Sequence, residues 1–120
     1  MAARAAGGGA AAPSKAFSAF HDELKGIAER AMTAKLDKQP YEHARVLVWV
    51  KEITDQVLAE ARVASGASFK LIVSGTIVPR EAGVAAAASV FWDPGCDGVV
   101  SHSLATDSMI CVLNIFGCAV

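Results

Sequence analysis

Between residues 16 and 64 the apolar positions recur at steps of three and four. Beyond residue 68 they run in short β-branched stretches broken by glycine and proline. The first rhythm predicts two helices. Phe17, Phe20, Leu24, Ile27 and Ala31 form one stripe, with Asp22, Glu23, Lys25, Glu29 and Arg30 on the remaining surface. Ser14 or Ser18 is the expected N-cap. Residues 36–40 are polar, and Pro40 disfavours helical backbone at Gln39, which separates the two elements. A second helix is predicted over about residues 41–64, with Pro40 near its start, where proline is tolerated. Its stripe is Val46, Trp49, Val50, Ile53, Val57 and Ala61, and Ser65-Gly66-Ala67-Ser68 stops it.

The second rhythm predicts four strands. The first covers residues 69–78 and is bounded by Pro79; a loop at Arg80-Glu81-Ala82-Gly83 follows. The second is Val84, Ala85, Ala86, Ala87, Ala88, Ser89, Val90, Phe91 and Trp92. Asp93-Pro94-Gly95-Cys96-Asp97-Gly98 is a strong turn signal. The third strand, residues 99–104, is the least hydrophobic, and Thr106-Asp107-Ser108 turns the chain again. Residues 109–116 are apolar at nearly every position, as expected of a central strand buried on both faces. The fold class is therefore α+β, two N-terminal helices packed on a four-stranded antiparallel sheet read as a meander.

The alanine strand is unusual. Alanine is depleted in strands because it offers little side chain to pack. A strand of this composition is held by its backbone ladder, and its small side chains let another backbone lie close. That points to a strand paired with something, with a second chain one possibility and an internal helix contact the other.

Composition narrows the class. The 120 residues allow one domain, and a formal net charge of −1 leaves no basic footprint for nucleic acid or an anionic membrane. The apolar share of 53% and a mean hydropathy of +0.39 leave room for a buried subunit interface. No window approaches a membrane span. Residues 1–15 are rich in alanine and glycine and lack the apolar stretch of a signal peptide or the arginines of a transit peptide; they read as a disordered tail before a domain over residues 16–120. Cys96, Cys111 and Cys118 are an odd set without a CxxC pair, which suits reduced intracellular thiols.

Candidate chemistry is sparse. Cys96 and His102 straddle a predicted turn and could approach each other, while His21 and His43 lie on the helical half. No nucleophile elbow supports a catalytic site, and the spacing supplies no further metal ligands. The 93–98 turn lacks the alternating ligands of a calcium loop. Gly7-Gly8-Gly9 is not followed by the Lys-Ser/Thr of a phosphate loop. Trp49 and Trp92 are expected as core or interface anchors.

Taken together, several segments carry a resemblance. They are Tyr41-x-His43 with Val46 and Trp49, Phe69-Lys70 with Ile72-Val73, Phe91-Trp92-Asp93, Asp97-Gly98, and Met109-x-Cys111 closing on Phe116-Gly117. In this order and spacing the chain resembles the Tctex-type dynein light chains over roughly residues 16–120. The resemblance implies a non-enzymatic motor subunit without cofactor or metal. It implies a strand-exchanged homodimer, or heterodimer with another Tctex-type chain, that binds extended segments of the dynein intermediate chain. Nucleic acid, membrane and small-molecule substrate are not among the implied partners. The exchanged, partner-binding strand would be residues 84–92. The implied setting is the cytoplasm and cytoskeleton, and the Thr106-Asp107-Ser108 turn is closer to the branch found in the axonemes of cilia and flagella. The chain departs from the family in a shorter loop over residues 79–85, with alanine where a histidine is usual. It also carries Ser103-Leu104-Ala105-Thr106 in place of an Arg-Trp-Glu-Asn run. A dimeric peptide-binding adaptor acting outside dynein, and a small enzyme using Cys96 or a histidine, are the rival readings.

Overall fold

The computed structural model describes residues 16–82 and 97–120. Helix α1 spans His21–Leu36 and helix α2 spans Val46–Ser65. Each is entered through a 3-10 turn, Phe17–Phe20 and His43–Arg45. The first helix therefore starts later than the stripe suggested. Ser18 lies inside the entry turn, no side chain caps α1, and Ser14 lies outside the described residues. Pro40 sits in the connection, and the extended backbone of Glu42 delays the second helix to Val46. Gly66 ends α2 with a φ of 78°, a conformation that side chains beyond glycine's rarely adopt.

Three antiparallel strands stand among the described residues: β1 (Phe69–Pro79), β2 (Gly98–Ala105) and β3 (Met109–Ala119). The predicted alanine strand lies outside them. The sheet order is β1-β3-β2, so the expected meander is corrected: the last strand sits between the first and β2 and pairs with both. The physical reason is composition, since the most apolar strand takes the most covered position. Burial on β3 nevertheless alternates strictly. Met109, Cys111, Leu113 and Ile115 face the helices and are buried, while Ile110, Val112, Asn114 and Phe116 are half-buried on the other face. Expected burial on both faces thus becomes full burial on one.

Both helices lie on one face of the sheet, α2 over β1 and α1 over β2. The core between them holds Trp49, Ile53, Val57 and Ala61 from α2 and Leu24, Ile27, Ala31 and Met32 from α1, all buried. Arg45 covers the Trp49 ring, 4.9 Å from its centroid. At Gly75 a β-carbon would stand 3.2 Å from Leu113 Cδ1 on β3, and at ordinary contact distance from Thr54 and Val50 of α2. Two ion pairs join the helices on the outside, Arg30–Glu60 at 3.8 Å and Lys35–Glu52 at 3.5 Å.

Candidate functional site: the uncovered sheet face and its edges

The period of two along each strand sends alternate residues away from the helices. The register lines these residues up in rows across β1, β3 and β2. One row is Ile72, Phe116 and Val99; the next is Ser74, Asn114 and Ser101; then Thr76, Val112 and Ser103; then Val78, Ile110 and Ala105. Ile72 is 61% exposed and Val99 is 44% exposed, unusual for large apolar side chains. The face therefore carries two apolar bands flanking a polar one, within which Ser101 Oγ donates to Asn114 Oδ1 at 2.6 Å. No helix among the described residues covers it. Such a face is suited to another sheet or to an extended segment.

Its two outer strands are tied to the core differently. β2 is fixed at its start by Asp97, a buried residue whose Oδ1 accepts the Ala119 N–H at 2.6 Å. Gly98 and Gly117 pair across β2 and β3, and the Phe17 ring lies against both. Phe17 also meets Phe69 edge-on at 5.3 Å, and Phe20 meets Phe69 at 5.9 Å. In mid-strand, His102 Nε2 donates to Glu29 Oε1, linking β2 to α1. That hydrogen bond holds the Glu29 carboxyl below its ordinary range despite the opposing effect of partial burial. β1 is fixed at its far end, where Arg80 N–H donates to Ser108 O at 3.0 Å and the Arg80 guanidinium reaches Thr106 O. Ser108 Oγ donates to Gln39 O at 3.0 Å, joining the β2–β3 turn to the helix connection.

The residues considered for catalysis are occupied structurally. His102 holds Glu29, exposed His43 meets the Tyr41 hydroxyl at 3.2 Å, and exposed His21 meets Asp22 at 3.3 Å. Cys96 lies outside the described residues. Burial pushes the Cys111 thiol up to about 11, which removes its nucleophilic form at neutral pH. No group of three or more metal-ligating side chains occurs among the described residues, and no helix there is long and apolar enough to cross a membrane. The predicted partner-binding strand, residues 84–92, lies outside the described residues with its Trp92 anchor. Sequence reasoning did not single out the outer rows, although the alternation of Ser101 and Ser103 with Val100 and His102 was there to be read.

The model of one protein family, the Tctex-1 family, matches residues 19–118. Among curated proteins, the chain is 31% identical over 100 residues to a protein named dynein light chain Tctex-type from Dictyostelium discoideum; the match covers 82% of this chain and 90% of the relative. It is 29% identical over 100 residues to dynein light chain Tctex-type 3 from Homo sapiens, covering 82% of this chain and 85% of that protein. A relative from Drosophila melanogaster, dynein light chain Tctex-type, is 24% identical over 82% of this chain and 89% of its own length. The family match spans both helices, β1 and β2, and β3 up to its last residue, and the chain belongs to the Tctex-1 family.

Proposed function

We propose that this chain is a non-catalytic dynein light chain that dimerises and binds dynein intermediate chains, helping to assemble the motor for microtubule-based movement. The names of its relatives support the dynein assignment. One geometric observation supports the strand-exchanged dimer. β1 and β2 are both antiparallel to β3 and hence parallel to each other. β1 ends on the rung of Met109, whereas β2 starts on the rung of Gly117. The chain between them must span the distance from one rung to the other, roughly 26 Å at ~3.3 Å per residue. Residues 84–92 are long enough for one extended pass. An extended pass antiparallel to both outer strands can satisfy an open edge of the sheet, whether that edge is its own or a partner's. The alanines let two backbones lie close, and a two-fold partner would cover the apolar rows that one protomer leaves open. The partner-binding strand in this reading is Val84, Ala85, Ala86, Ala87, Ala88, Ser89, Val90, Phe91 and Trp92. The place of action is the cytoplasm and cytoskeleton, with an axonemal dynein as the ciliary or flagellar version and a heterodimer with another Tctex-type chain as an alternative to the homodimer.

Capture from native extract followed by mass spectrometry tests the partner. Dynein intermediate chains are expected in the bound set; their absence alongside other extended-peptide partners would favour an adaptor outside dynein. Sedimentation tests the dimer. Replacing Ala86 and Ala88 with glutamate is expected to give a folded monomer, and an unchanged sedimentation coefficient would sink the exchanged-strand reading.

A further inference from the structure

We infer that the outer groove between α1 and α2 is a docking site for this chain's own basic N-terminal segment, residues 1–15, with Arg4 on the groove's acidic rim. This goes beyond the proposed function and does not rest on it, because the groove is built from the helix pair alone.

Small side chains make the groove. Between the helices lies a hollow of about 590 Å³ whose lining includes Gly26 and Ile27 from α1 and Ala59, Val63 and Ala64 from α2. A second hollow, of about 580 Å³, shares Ala59 and Val63 and continues to Gly66, Ala67 and Phe69. Val63, common to both, is 86% exposed, and an apolar side chain gains from any cover. Glycine and alanine leave little bulk above the helix backbones, so the groove suits a narrow occupant, a backbone carrying small side chains.

The segment that precedes the described residues has that composition. Residues 1–15 are built largely of alanine and glycine. They join the described structure at Ala16, one residue before Phe17, and the Phe17 and Phe20 rings both meet Phe69, which lines the second hollow. The segment is thus tethered beside the groove it would fill. From Arg4 to Ala16 an extended chain covers roughly 40 Å at ~3.3 Å per residue. The groove wall from Asp22 to Arg30 is about 12 Å long at ~1.5 Å per residue. Reach is ample, and a tether of this kind holds a segment at an effective concentration on the order of millimolar.

Charge selects the occupant. Asp22, Glu23 and Glu60 line the first hollow, and its cation, Arg30, is engaged with Glu60 at 3.8 Å. Lys25 acts instead on Glu29, the partner of His102 on β2, and Arg62 lines only the second hollow. The rim therefore keeps an excess of carboxylates. Residues 1–15 carry Arg4 and Lys15 and no acid, which complements it. A second copy docked helix face to helix face would set one acidic rim against another.

The test is amide NMR on the full chain. Arg4→Glu is expected to shift the Gly26 and Val63 amides, remote from it in sequence, while those of β3 stay in place. Arg4→Lys, which keeps the charge, should leave the spectrum of the unaltered chain. Added salt should move the same amides of the unaltered chain in the same direction. In an Asp22→Asn, Glu23→Gln background whose circular dichroism is unchanged, Arg4→Glu should lose most of its effect. No shift on Arg4→Glu overturns the inference and leaves the groove to a partner protein. Shifts confined to the sheet, or an undiminished effect in the neutralised background, overturn it as well. So do shifts that fade on dilution, which would mean the segment of a second copy. None of these outcomes depends on whether dynein intermediate chains bind.

Discussion

The Phe17 ring lies where a β-carbon on Gly117 would have to go: that atom would stand 2.3 Å from both Cδ1 and Cε1 of the ring. Phe17 is fully buried and edge-on to Phe69, so it has no free direction in which to retreat. Gly117→Ala is therefore expected to lower the unfolding free energy by about 1–3 kcal/mol through overpacking. Phe17→Ala should cost about 3–5 kcal/mol through the cavity it leaves. Combined, the two should cost less than their sum by at least about 0.5 kcal/mol, because the small residue removes the clash. Urea titration of the four proteins measures the coupling, and strict additivity would refute the seat.

The Glu29–His102 contact predicts an acid sensitivity. Glu29 has its folded pKa lowered, chiefly by the His102 hydrogen bond, from a reference of 4.5. The stabilisation is therefore complete above the unfolded pKa and is lost as the pH falls through the lower folded value. The carboxylate is half-exposed, so the effect should be small. Glu29→Gln is expected to flatten the decline of the urea midpoint below about pH 4.5 relative to the unaltered protein. Parallel curves for the two proteins would rule the contact out as its source.

Asp97 predicts a local effect at the end of the sheet. Its replacement by alanine leaves the Ala119 N–H without its carboxylate acceptor beside a buried residue. A loss of about 1–3 kcal/mol is expected, with faster hydrogen exchange at the Ala119 amide. A Phe17 region that keeps its native fluorescence and chemical shifts would show that the damage stays local.

The two described cysteines should differ in reactivity. Cys111 is buried, with its pKa pushed to about 11, while Cys118 is half-buried on the uncovered face, across from Lys70 in the register. In a Cys96→Ser background, maleimide labelling is expected at Cys118 well before Cys111. Slower Cys118 labelling at concentrations where sedimentation shows a dimer would place the partner over that face. Mass spectrometry of the labelled peptides reads both outcomes.

Element types were legible because the two periodicities are clean: Trp49, Ile53, Val57 and Ala61 keep their helical spacing, and Phe69 begins a β-branched run after Gly66. Strand order was not legible. Local sequence cannot say that residues 109–119 insert between two strands made earlier, because the preference arises only when both neighbours compete for the most apolar partner. Nor could spacing reveal Phe17 on Gly117, a contact between elements a hundred residues apart in the chain. The uncovered face was half-visible. The serines of β2 marked one side of the strand, but only the register showed that Ile72, Phe116 and Val99 share a row with it.

The insertion of β3 between β1 and β2 also sets an order of events during synthesis. Among the described strands, β1 and β2 pair only with β3, so neither can complete that ladder until β3 leaves the ribosome, and the β1–β3 pairing then closes a loop from residue 79 to residue 109. Non-local closure of this kind slows folding relative to hairpin-by-hairpin growth. For that interval, among the described elements, the helix pair alone can form by local contacts, and β1 and β2 wait without β3. A chain that must wait in this way benefits from meeting its assembly partner early, while its edges are still unclaimed.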